Sequence, residues 1–334
     1  MHRLVVIEGD GIGKEVIPAA VEVLSRLVPD LEPVPAEAGW DCFQRRGTSV
    51  PPETLDAVRE AGAALFGAVS SPSRKVAGYR SAIITLRQEL DLYANLRPVR
   101  SLPRVSPRPG VDLIVVRENT EGLYSGRERR EGDTAIAERV ITRAASRRIA
   151  AKAVDLVQSG GRSHLTIVHK ANILPVTDGL FRDSVLEVVN ERRKPDETWT
   201  VDELLVDTAA MKMASQPETF DVLVTTNLFG DILSDTAAPW CGGMGLAPSL
   251  NWGDGIALAE PVHGSAPDIA GKGIANPIAA ILSAALLARY HWGLPAVAAQ
   301  IESAVSAALA EAPLDGVGTE GIVKAISFQL SAIS

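Results

Sequence analysis

The sequence predicts an α/β protein in which apolar strands alternate with helices along the whole chain. Three observations carry this. Short apolar runs bounded by turn residues recur at 4–7 (LVVI), 63–69 (AALFGAV), 111–116 (VDLIVV), 165–168 (LTIV) and 220–224 (FDVLV). Between them lie stretches with helical spacing, such as 14–27 with Val16, Ile17, Ala20, Val23, Leu24 and Leu27 on one face. Polar functional groups then recur at the carboxyl ends of the strands, the edge where α/β sheets bind ligands.

With 334 residues, 46% hydrophobic and 22% charged, the chain has ample core for two domains. A net charge of −8 argues against nucleic acid or an anionic membrane as the main partner. The two cysteines, Cys42 and Cys241, lie far apart and form neither a disulfide framework nor a zinc motif. The apolar run in Met1–Ile7 is too short for a signal peptide, and the Ala/Leu-rich stretch Pro277–Tyr290 is too short to span a bilayer. The latter reads as a buried helix, and a cytoplasmic protein is expected.

In order along the chain, the first strand ends in Glu8-Gly9-Asp10-Gly11-Ile12-Gly13. Strand, glycine turn and helix invite a dinucleotide-binding reading. The spacing is GxGxG, however, and no acidic residue closes a second strand at the required distance, so the Rossmann fingerprint fails. Strand 63–69 is followed by a polar loop, Ser70 to Lys75, and a helix with Leu86, Leu90 and Tyr93 inward that carries Arg87. Arg97 leads into a connector with Pro103, Pro107 and Pro109, which reads as a domain crossing. Strand 111–116 runs into Arg117 and Tyr124. The stretch 127–148 interleaves seven arginines with acids and reads as a solvated arm and helix face.

Lys170 ends strand 165–168, and Asp207 follows the apolar stretch 204–206. Met211 and Met213 read as core or interface. After strand 220–224, Gly230 reads as the turn that opens a helix from Asp231 to Ala238. Asp231 and Asp235, four apart, share one helix face. Two carboxylates so placed repel unless a cation lies between them, and hard cations such as Mg²⁺ or Mn²⁺ take such oxygen ligands. Two solvated acids in a first helical turn fit the same spacing. A second crossing is expected at 239–248, and 260–271 reads as a loop.

Several motifs together are specific. EGDGIGKEV (8–16), LRQELDLYANLRPVR (86–100), VRENTEGLY (116–124), HKANI (169–173), TTNLFGDILSD (225–235) and EPVHGSAPDIAGKGIANP (260–277) resemble the β-decarboxylating dehydrogenases, with their isocitrate, 3-isopropylmalate, homoisocitrate and tartrate/malate members. The resemblance spans nearly the whole chain. It implies an isopropylmalate dehydrogenase-like two-domain α/β fold with a large central mixed sheet. Residues 1–96 plus 243–334 would form the cofactor domain, and 97–242 the substrate, metal and dimerisation domain, with an arm near 125–140.

The same resemblance implies roles residue by residue. Asp231 and Asp235, with Asp207 of the partner subunit, would hold Mg²⁺ or Mn²⁺. Arg87, Arg97 and Arg117 would clamp the carboxylates of a tricarboxylate, helped by Ser71, Arg80, Ser81, Ile84 and Asn172. Lys170 of the partner subunit would take or relay the hydroxyl proton, and Tyr124 would protonate the enol carbon. Ile12, Ser70, Asn227, Glu260, His263, Gly264, Ser265, Ala266, Asp268, Ile269 and Asn276 would bind the dinucleotide. Asp268-Ile269, where NADP-preferring members have Lys-Tyr, implies NAD. A homodimer with shared sites, alone or paired into a tetramer, follows.

For the substrate, Gly78–Arg87 (GYRSAIITLR) and its surroundings resemble homoisocitrate enzymes best, which implies homoisocitrate and the aminoadipate route to lysine. Arg is absent from position 84, where some bacterial homoisocitrate enzymes carry it. Isocitrate and 3-isopropylmalate remain the alternatives.

Overall fold

A computed structural model describes every residue except Lys75, Gly160 and Ser334. Lys75, read as the end of a polar loop, lies outside the described residues. In chain order the strands are β1 (His2–Gly9), β2 (Leu31–Pro35), β3 (Ala63–Ala68), β4 (Ala94–Arg100), β5 (Asp112–Glu118), β6 (Glu128–Glu131), β7 (Thr134–Ala137), β8 (His164–His169), β9 (Thr200–Leu205), β10 (Val222–Thr225), β11 (Pro248–Trp252) and β12 (Ala257–Pro261). The chain divides into two compact units. One comprises Met1–Leu92, Leu102–Pro109 and Cys241–Ser334, the other Tyr93–Ser101 and Gly110–Trp240. Leu102–Pro109, expected with the second domain, belongs to the first unit, where Arg104 Nε donates to the Ala310 carbonyl at 2.9 Å.

Each unit carries five sheet strands, in the order β2-β1-β3-β12-β11 in the first unit and β4-β5-β10-β8-β9 in the second. Within each unit pairing is parallel except for β11 with β12 and β4 with β5, so both sets of strands are mixed. Strands buried on both faces need continuous apolar runs, and β3 and β10 are buried at every residue.

In the first unit the helix Ile278–Tyr290 is buried all round from Ile278 to Ala288. Its alanines let it lie close to the helices Gly13–Ser25 and Pro295–Glu311 and to β12. Each fully buried Ile or Leu there contributes roughly 1.5–3 kcal/mol. In the second unit the helix Arg143–Gln158 starts at Thr142, whose side chain accepts the Ala145 N–H at 3.1 Å. It buries Ile149, Val154 and Val157 and packs against the helix Thr177–Arg192 and against β5, β8 and β10.

The expected solvated arm is only partly so. β6 and β7 form an exposed antiparallel hairpin. Arg139, just beyond it, turns inward onto Asp178, and Arg148 lies 4.3 Å from the ring centre of Tyr93. Met213 is fully buried, whereas Met211 is 63% exposed in the single chain. Among the described residues no helix is long and apolar enough to cross a membrane.

Candidate active site

In the second unit Arg117 and Thr225 are register partners on the neighbouring parallel strands β5 and β10. The helix Asn227–Ala237 therefore begins beside Arg117. It begins earlier than the sequence suggests, because Gly230 lies inside it rather than in the turn. A Cβ at 230 would stand 2.6 Å from Arg117 Cγ, so the missing side chain makes room for the arginine.

Arg117 is almost fully buried. Its Nε and Nη2 donate to Asn227 Oδ1 at 3.1 and 2.8 Å, and its Nη1 pairs with Asp231. Asn227 Nδ2 donates in turn to the Glu121 carbonyl at 3.1 Å. Asn227, expected to contact the dinucleotide, thus links Arg117 to the Glu121 carbonyl. Arg97 is 8% exposed: its Nε donates to Asn95 Oδ1 at 2.8 Å, and its Nη1 to Ser234 Oγ at 2.8 Å and Asp235 Oδ1 at 3.0 Å. Asp231 Oδ1 lies 3.5 Å from the same Nη1. Buried guanidiniums persist only when paired in this way.

Tyr124 donates its hydroxyl to Asp231 Oδ2 at 2.5 Å, and the Arg117 guanidinium lies 5.1 Å from its ring centre. Burial, then the Asp231 carboxylate, raises the phenol above its ordinary pKa. At neutral pH the phenol therefore keeps its proton, which it directs at Asp231.

Asp231 and Asp235 fit a divalent cation: both are hard oxygen donors one turn apart on one helix face, with Asp235 54% exposed. Among the described residues, however, no three acidic, His or Cys side chains converge to hold a metal within one chain. Asp207 opens the helix Val206–Ser215 and accepts from Lys170 Nζ at 2.5 Å. That hydrogen bond lowers its carboxyl below the usual range. Asn172, near Lys170, is exposed.

In the first unit Arg87 pairs with Glu260 at 2.8 Å, both largely buried, and Glu260 Oε1 also accepts from Asn251 Nδ2 at 2.7 Å. Glu260 stands within β12 rather than in a loop as expected. Arg80 is exposed and hydrogen-bonds Gln88, while Ser81 precedes the helix Ala82–Glu89 and accepts the Thr85 N–H at 3.0 Å. Ile84 is half-buried and Ser71 exposed.

The stretch 263–276 lacks regular structure. It is held to the glycine turn by Ile12 N–H donating to the Ser265 carbonyl at 2.9 Å, and to Ser70 by a 2.8 Å hydroxyl pair with Ser265. Gly11 permits this approach, since a Cβ there would lie 2.0 Å from the Ser265 oxygen. Ala266 sits at φ 36°, in the left-handed region. Burial holds the His263 imidazole below its ordinary pKa, and Gly264 and Asp268 are exposed, with Ile269 half-buried. Asn276 Oδ1 accepts the Ile278 N–H at 3.0 Å, closing the loop onto the buried helix.

Sequence reasoning missed Asp10. Its two carboxylate oxygens accept the N–H groups of Trp40, Asp41 and Ser70 at 2.8, 2.9 and 2.8 Å. An acid between two glycines after a buried strand was the available signal.

A model of the isocitrate/isopropylmalate dehydrogenase family matches residues 3–329. An isocitrate/homoisocitrate dehydrogenase of Thermus thermophilus is 55% identical over 93% of this chain and 92% of its own length. A 3-isopropylmalate dehydrogenase of Methanothermobacter thermautotrophicus is 50% identical over 92% of this chain and 91% of its own. Among solved structures, isocitrate dehydrogenase from Methylococcus capsulatus aligns over 99% of both chains, with TM-score 0.92 and 41% identity.

Proposed function

The chain belongs to the isocitrate/isopropylmalate dehydrogenase family, and on that premise we propose that it oxidatively decarboxylates homoisocitrate to 2-oxoadipate using NAD, with isocitrate as a second substrate. It is an oxidative decarboxylating dehydrogenase, and enzymes of this family generally use NAD or NADP and a divalent metal. The observation that carries the reading is the cluster of Arg97, Arg117, Tyr124, Asp231 and Asp235: cationic donors for carboxylates, a protonated phenol and two hard ligands gathered at the helix Asn227–Ala237.

In the proposed reaction a hydride passes from C2 of the substrate to NAD, CO₂ leaves from C3, and the former hydroxyl proton is balanced by the one delivered to C3. Arg87, Arg97 and Arg117 bind and orient the carboxylates, since planar guanidiniums meet carboxylates with two parallel hydrogen bonds. Lys170 of the partner subunit takes or relays the hydroxyl proton. Tyr124 gives a proton to C3 once the carboxylate has departed. A divalent cation on Asp231, Asp235 and Asp207 of the partner subunit would supply positive charge that lowers the pKa of the 2-hydroxyl. The homodimer follows from this sharing.

Homoisocitrate is supported by GYRSAIITLR, where Ile83 and Ile84 suit a longer chain while Ser71, Arg80 and Ser81 offer partners for its distal carboxylate. The Thermus relative's name includes the same acid. In a panel of homoisocitrate, isocitrate and 3-isopropylmalate with NAD and NADP, the highest kcat/KM is expected for homoisocitrate with NAD. A lead of about tenfold or more for isopropylmalate, equivalent to ~1.4 kcal/mol, would reject this assignment.

NAD selectivity is assigned to Asp268, whose exposed carboxylate can accept from the ribose hydroxyls and would repel a 2′-phosphate. Asp268→Lys is expected to raise the KM for NAD by roughly tenfold and to improve NADP use, consistent with losing a charged hydrogen bond. An NAD KM equal to that of the unmodified protein would show that this loop is not the adenosine site.

A further inference from the structure

Arg139 follows the exposed hairpin β6–β7 in a segment rich in arginine, yet its side chain is only 14% exposed. It is ion-paired with Asp178, which is fully buried in the first turn of the helix Thr177–Arg192. Such a pair is a poor source of stability. Desolvation costs several kcal/mol per ion, and well-packed apolar residues of similar volume often do as well.

The geometry around the pair is more telling. Asp178 Oδ2 accepts the backbone N–H of Lys170 at 2.6 Å. Arg139 Nη2 donates to Thr226 Oγ1 at 2.8 Å, and its guanidinium lies 4.6 Å from the ring centre of Phe229. Thr226 immediately precedes the helix that bears Asp231 and Asp235. Lys170 and Thr226 leave the adjacent parallel strands β8 and β10, where Val168 and Thr225 are register partners. Arg139 and Asp178 therefore bridge the two strand exits that carry the lysine and the aspartates.

We infer that Arg139 and Asp178 are positioning residues for Lys170, holding its backbone in register with the aspartate-bearing helix of the same chain. This rests on the reading above that Lys170 exchanges the proton of the substrate hydroxyl. Neither residue touches substrate; each acts through the turn on which the lysine stands. The bridge replaces what a loop alone cannot supply, since a displacement of about 1 Å at a proton-transfer group can cost on the order of 100-fold in rate.

The test is a kinetic cycle on the full-length protein with Mg²⁺ and saturating NAD. Arg139→Met and Asp178→Asn are each expected to lower kcat by roughly 10- to 100-fold, leaving the KM for NAD unchanged. Arg139→Lys should recover part of that loss. On a Lys170→Ala background the same substitutions are expected to cost less than about twofold, because the side chain they position is gone. Equal losses in both backgrounds, or no loss in the unmodified protein, would overturn the inference.

If a single substitution strands one buried charge and prevents folding, the charge-free pair Arg139→Met/Asp178→Asn carries the test, with thermal melting followed by circular dichroism to establish that it folds. Unmodified turnover in that double variant would likewise overturn the inference. A Lys170→Ala protein with full activity would sink the underlying role of the lysine, and the inference with it, which is distinguishable because it needs no change at 139 or 178.

Discussion

Lys170→Ala is expected to lower kcat by roughly 10²- to 10⁴-fold with little change in substrate KM, the range for losing a positioned proton-transfer group. The residue follows β8 directly and lies beside Asp207, where Nζ already donates to a carboxylate 2.5 Å away. Tyr124→Phe should produce a loss of similar size for a complementary reason. It removes the hydroxyl that the Asp231 carboxylate orients while leaving the ring under Arg117. If Lys170 serves the site of the partner subunit, the two inactive proteins refolded together should regain activity. Random pairing gives mixed dimers with one intact site, or about a quarter of the unmodified rate. Refolded mixtures that form mixed dimers yet stay inactive would place both residues in one subunit's site.

Chelator-treated protein is expected to lose turnover by about 10³-fold or more and to recover it on addition of Mg²⁺ or Mn²⁺. The basis is the helix face carrying Asp231 and Asp235. Asp231 already accepts from Tyr124 and from Arg117, while Asp235 has the larger exposed surface on which a hydrated ion can settle. Asp235→Asn should therefore raise the Mn²⁺ concentration needed for half-maximal activity by roughly 10- to 100-fold. Undiminished turnover after thorough chelation, with metal content checked by elemental analysis, would falsify the cation's role.

Much of this arrangement is legible in the sequence. Apolar runs located the strands because burial on both faces leaves no other pattern, and Arg117, Lys170 and the aspartates were found by reading what followed each run. The limits were equally physical. Lys170 and Asp207 meet because β8 and β9 are parallel neighbours with His169 opposite Leu205, and strand order has no local signal. Arg87 and Glu260 are 173 residues apart, so their buried pair could not be read from spacing. Arg139 looked solvated because charge density along a segment does not say which guanidinium turns inward. Gly230 looked like a boundary because glycine weakens helices, whereas here it answers a neighbouring strand.

That last residue sets helix propensity against packing. An engineer seeking thermal robustness from helix propensity alone would choose position 230 first, since alanine in a helix interior gains about 1 kcal/mol over glycine. The added methyl would collide with the stem of Arg117 and displace the guanidinium from Asn227 and Asp231. Overpacking this buried position costs about 1–3 kcal/mol, more than the propensity gain, so the variant is expected to lose melting temperature together with the aim of the guanidinium.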